Sequence, residues 1–210
     1  RVVSKLLRAI PGLDDFALVG KAWHDAFRGG AYDTVVFDGP ATGHLVYSLG
    51  VPRAILQTIA PGPLTREAEL MQNHFQDPQL TAAVLVGLPE QWPLTELGEL
   101  GLALREQIGL HAAAIFVNGL WPAAPPQPTA TPGGDPRVLE LFEAAARVGA
   151  IGRRQRAEIE SWRASPNAPQ GTAAVMVPWR AGGVGDIDAL RSLLTPTRYD
   201  GPGGELSEIA

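Results

Sequence analysis

The chain has 210 residues, 45% of them hydrophobic, and a formal net charge of −5. That length is enough to bury one substantial α/β core, and the acidic balance argues against partners such as nucleic acid or an anionic membrane surface. The absence of cysteine excludes disulfides, thiolate metal sites and cysteine nucleophiles. No segment is apolar over the roughly 20 residues a membrane helix takes, and no signal peptide opens the chain, so a cytoplasmic protein without direct membrane insertion is the simplest expectation.

Taken in order, the chain opens at Arg1 in the middle of a helical pattern over residues 2–10, and an N-terminal part is expected to be missing in front of it. Leu13, Phe16, Ala17, Val19, Trp23 and Phe27 repeat at helical spacing. Val19-Gly20-Lys21-Ala22 imitates part of a phosphate loop but lies inside this helix with no strand before it, so Lys21 reads as a solvated helix residue and His24 as surface or packing. Residues 34–37, Thr-Val-Val-Phe, then have the composition of a buried strand. They end abruptly in Asp38-Gly39-Pro40-Ala41-Thr42-Gly43-His44. The carboxyl ends of parallel strands line the ligand crevice of an open sheet, which would put Asp38 on the crevice floor. Asp is also a common turn starter, and both readings stand on the residues alone.

Residues 45–59 read as a helix whose free amides would favour an anion at its start. His44 there is either a phosphate-side residue or a cap. Pro61-Gly62-Pro63 interrupts the chain before a helix over 64–75, where Leu64, Leu70, Met71 and Phe75 are either a small groove or plain core. A strand over 81–88 follows, then Pro89-Glu90 and a helix over 94–108. Glu90 and Glu96 read as acids favoured by the start of that helix, or as crevice contacts. Residues 111–118 form the next strand, ending in Asn118, which is either a turn residue or an amide able to pair with a base edge. The Pro- and Gly-rich run 121–135 is a loop. Helices over 136–148 and 152–164 come next, the second with Arg153, Arg154, Arg156 and Arg163 on what reads as a solvated, mixed-charge face. A last strand over 173–177 leads to Pro178 and the glycines Gly182, Gly183 and Gly185, whose spacing fits a turn and no phosphate loop. Residues 1–194 read as one domain, and the polar, Gly-rich residues 195–210 as a disordered tail.

The run Asp38 to His44 resembles the switch II signature D-T-A-P-T-G-H of the ArsA-type ATPases, the arsenite-pump and tail-anchored-protein-targeting family. The variant D-G-P-A-T-G-H is typical of bacterial ArsA-like proteins. Weaker likenesses follow in the family's order: Pro11-Gly12-Leu13-Asp14 upstream, then Leu49-Gly50-Val51-Pro52, Pro89-Glu90, Asn118-Gly119-Leu120 and Val177-Pro178. The resemblance implies an α/β fold of the P-loop NTPase kind, a mainly parallel sheet with helices on both faces, lacking its N-terminal phosphate loop here. It implies ATP and Mg2+ as cofactors. Asp38 would hold the metal, through a water, while Gly39, Thr42, Gly43 and His44 sense the γ-phosphate, Asn118 reads adenine and Pro178 flanks it. It also implies a homodimer or a paired ArsA-like subunit acting on a protein cargo. Without cysteines in this stretch, an arsenite cargo is not expected. The alternatives are a non-catalytic partner subunit that keeps the switch loop, and a nucleotide-independent α/β domain in which Asp38 is only a turn acid.

Overall fold

The structure, a computed structural model, describes residues 13–30, 32–40, 42–122, 136–194, 197–198 and 207–208. Its elements in order are α1 (Leu13–Phe27), α2 (Thr42–Thr58), α3 (Pro63–Gln76), β1 (Ala83–Gly87) and α4 (Gln91–Ala103), which runs on into a π-helical turn (Leu104–Ile108). Then come β2 (Ala112–Leu120), α5 (Pro136–Arg163), β3 (Ala173–Pro178), α6 (Ile187–Leu194) and two short strands, β4 (Thr197–Arg198) and β5 (Ser207–Glu208). The expected helix over 2–10 and most of the expected loop over 121–135 lie outside the described residues. The chain divides into two compact units, Arg1–Ala83 with Leu100–His111, and Val84–Glu99 with Ala112–Ala210. No helix among the described residues is long and apolar enough to cross a membrane.

The first unit is built from helices. α1 buries Val19 and Trp23, as its spacing dictates, and leaves Lys21 and His24 exposed. Lys21 pairs with Asp25 one turn on. Trp23 Nε1 donates to His74 Nδ1 of α3 at 3.1 Å, and the His74 ring lies 4.2 Å from that of Phe27. Arg28 bonds both carboxylate oxygens of Glu67 at 2.8 and 3.0 Å and sits 5.7 Å from the Trp23 ring centroid, which closes the α1–α3 seam. Of the apolar residues of α3, Met71 and Phe75 enter the core while Leu64 and Leu70 stay exposed. α2 passes through Pro52, which is fully buried, and in the turn before it the buried Ser48 hydroxyl donates to the His44 carbonyl at 2.8 Å. The π-helical turn is tied down from two sides: Arg53 donates to the Gln107 carbonyl at 3.0 Å and Gln76 to the Ile108 carbonyl at 3.1 Å.

One expectation fails in this unit. Residues 34–37 belong to no strand among the described residues, and Val36 is 90% exposed. The regular elements next to them in the chain are helices, and among the described residues no ladder includes them. Asp38, which follows this segment, is exposed.

The second unit carries the sheet. Its five strands lie in the order β1-β2-β3-β4-β5. The first three are parallel, and β4 and β5 add antiparallel. β1, β2 and β3 are neighbours in chain order, with α4 between the first two and α5 between the second and third. Leu85, Ile115, Val117, Ala174 and Met176 point from the sheet into the core, together with Leu94, Leu97, Ile159 and Trp162 from the helices and the segment between them. A Cβ on Gly98 of α4 would lie 2.4 Å from the Asn167 carbonyl oxygen, so glycine permits this close approach. The result is a mixed α/β fold compatible with the P-loop NTPase class.

Two helices were expected between 136 and 164, and one continuous 28-residue helix is present. Gly149 and Gly152 look like a break in the sequence, since each costs a helix about 1 kcal/mol relative to Ala. Both are buried, and a Cβ at Gly152 would meet the Pro122 carbonyl oxygen at 2.4 Å. Close packing against the chain that leaves β2 replaces what propensity loses.

Candidate functional site

Five of the candidate residues cluster at the start of α2. Asp38 and Gly39 are exposed and Pro40 half-buried ahead of α2, whose first residue is Thr42; Gly43 and His44 follow in its first turn and are exposed. The loop turns closely over the helix, because a Cβ on Gly39 would lie 2.9 Å from the Leu45 Cδ1 atom. The amides of a helix's first turn have no intrahelical partners and carry the positive end of its dipole, which makes this a place where an oxyanion is favoured.

The chemistry of Asp38 limits the metal it fits. Among the described residues no three His, Asp or Glu side chains converge, so no all-protein metal cage is present there. Mg2+ shared with nucleotide phosphates takes one or two carboxylates and keeps several waters. A single exposed carboxylate, four residues ahead of a helix start, fits that mode.

The other two candidates meet at the carboxyl ends of β2 and β3. Asn118 stands opposite Val177, and after an irregularity at Gly119 the next pair is Leu120 with Pro178. Gly119 has φ +81°, a conformation that favours glycine and shifts the register by one residue. Asn118 and Pro178 therefore sit on adjacent strand ends, where open α/β sheets bind ligands, and both are exposed.

This edge contains residues that the sequence reading passed over. The Trp121 and Trp179 rings stack with centroids 4.2 Å apart and planes 9° from parallel. The Trp179 N–H donates to the Leu120 carbonyl at 2.8 Å, which carries the β2–β3 pairing one step further. Trp121 is held by α5: its N–H donates to Gln155 Oε1 at 2.8 Å and its carbonyl accepts from Arg156 Nη1 at 3.1 Å. Arg156 also donates to the Gly152 carbonyl at 2.9 Å, so one member of the arginine group is a structural tie, while Arg153 and Arg154 are exposed as expected. Gln155 is buried, the feature in this helix that a charge pattern does not reveal. A sequence clue to the stack existed in the position of a tryptophan directly after each of two strands.

The remaining candidates are local. Glu90 and Glu96 are exposed, and the Glu90 carbonyl accepts the Leu94 N–H at 3.0 Å as α4 begins. Gly182 and Gly183, at φ +83° and +73°, form a turn closed by the Gly183 N–H on the Arg180 carbonyl, and Asp186 Oδ1 accepts the Ala189 N–H at 2.7 Å to start α6.

No family model matches the chain. Over an alignment of 105 positions that covers 46% of the chain, it is 30% identical to a Halobacterium salinarum protein that carries the name Putative arsenical pump-driving ATPase. The matched stretch amounts to 16% of that protein's length.

Proposed function

We propose that the chain belongs to an ArsA-like ATPase that binds and hydrolyses ATP with Mg2+ and couples turnover to a conformational change in a protein cargo. The observation that carries this reading is the D-G-P-A-T-G-H run leading into the start of α2, in a chain part of which is similar to an arsenical pump-driving ATPase. Asp38 would hold Mg2+ through a water. When bound, the metal would offset the negative charge that builds on the transferred phosphoryl group. The amides at Thr42, Gly43 and His44 orient the terminal phosphate, and Gly39 lets the loop turn close to it. That loop is exposed, so it is free to move when the phosphate leaves. At the sheet edge the Asn118 amide has the donor and acceptor that an adenine edge requires, with Pro178 against the base. A homodimer or a paired subunit of the same kind, in the cytoplasm, completes the reading.

The test is phosphate release and ATP binding by the intact protein, with Asp38→Asn beside it. Asp38→Asn is expected to lower turnover on the order of 10²-fold, the scale for removing one electrostatic stabiliser of a transition state, with the circular dichroism spectrum unchanged. Binding without turnover in the unsubstituted protein would favour the non-catalytic partner subunit. Neither binding nor turnover sinks both readings.

A further inference from the structure

Two of the five tryptophans directly follow parallel strands, Trp121 after β2 and Trp179 after β3. They stack on each other at the edge where open α/β sheets take their ligands. Trp179 is the informative one. One of its faces is covered by Trp121, yet the residue remains 44% exposed. The Trp121 backbone is tied to α5 through Gln155 and Arg156, which fixes the base from which its ring projects. The Trp179 backbone is held likewise, its amide N–H donating to the Leu120 carbonyl. Asn118 pairs with Val177, and Trp179 lies two residues beyond Val177, just past the end of β3.

A stacked, half-exposed indole at the end of the strand next to the one that ends in a side-chain amide has a specific chemical match. Aromatic faces stack on nucleobases of any sequence, while an amide reads one base edge. We infer that the Trp121–Trp179 pair is a stacking platform for the planar base of an adenine nucleotide, with Trp179 as the contact ring and Asn118 at the base edge. Trp121 is a positioning residue. This rests on the adenine-nucleotide reading above and adds to it the group that supplies most of the base affinity.

Calorimetric titration of the intact protein with Mg-ATP, adenosine and tripolyphosphate separates the two ideas. Trp179→Ala is expected to weaken ATP and adenosine binding about tenfold or more, the scale measured for stacking on one aromatic ring, and to leave tripolyphosphate binding as it was. Trp179→Phe keeps a stacking face and should lose no more than about threefold; this milder variant guards against a folding defect in the first. ATP binding equal in Trp179→Ala and the parent would overturn the platform and leave the ATPase reading standing, as would a parent that binds ATP no better than tripolyphosphate. A parent that binds none of the three overturns both.

Discussion

Residues 34–37, Thr-Val-Val-Phe, and residues 114–117, Ala-Ile-Phe-Val, are nearly the same kind of sequence, and they end in opposite environments. Val36 is 90% exposed and Val117 is fully buried. β2 has β1 on one side and β3 on the other, so its backbone groups are paired along both edges, and its alternate side chains Ile115 and Val117 are buried. Residues 34–37 lie among helices and pair with nothing among the described residues. An apolar, β-branched run is thus a capacity for strand formation, and neighbours turn it into a strand. Burial of one Val or Ile contributes about 1.5–3 kcal/mol, and only the second region collects it.

The comparison can be tested from both sides. The largest effect should come from Ile115→Ala, which opens a cavity at the centre of the sheet and is expected to cost about 2–5 kcal/mol in urea unfolding. Next is Gly98→Ala. Its new methyl group meets the Asn167 backbone, which cannot rotate away, so about 1–3 kcal/mol should be lost. Gly43→Ala is the matched control, having no atom within 4 Å of the added carbon, and it should leave the melting temperature level or slightly raised. Trp23→Phe removes the hydrogen bond to His74 and should cost about 1 kcal/mol, enough to separate from the parent in a thermal melt. Smallest of all, Val36→Ala should change stability by less than about 0.5 kcal/mol, as exposed substitutions do. A cost as large as that of Ile115→Ala would mean that residues 34–37 are paired in solution, and the contrast drawn here would collapse.

The two candidate regions differ in the same way. The start of α2 was legible because a seven-residue run carries its own chemistry: Asp38, Thr42, Gly43 and His44 are close in sequence and stay close in the fold. The strand-end edge was legible only in part. Asn118 and Pro178 were marked by their places after apolar runs, yet the stack beside them joins residues 121 and 179 and is anchored by residues 155 and 156. Gln155 looks like any polar residue of a charged helix until the chain leaving β2 is laid against it. Gly149 and Gly152 misled for the same reason, since a glycine that breaks a helix and one that admits a close neighbour look alike in one dimension.

By itself the sequence determined the local elements: the helix of residues 13–27 from its 3.6-residue spacing, the three parallel strands from short apolar runs closed by Pro, Gly or Asn, and the α/β class from their alternation. Each of these depends on interactions among residues near one another in the chain. The tertiary structure decided which strand-like segments found partners, that α5 runs unbroken, and that two tryptophans 58 positions apart share one stack. Those outcomes rest on contacts between distant segments, and their free energy exists only once the sheet has brought the segments together.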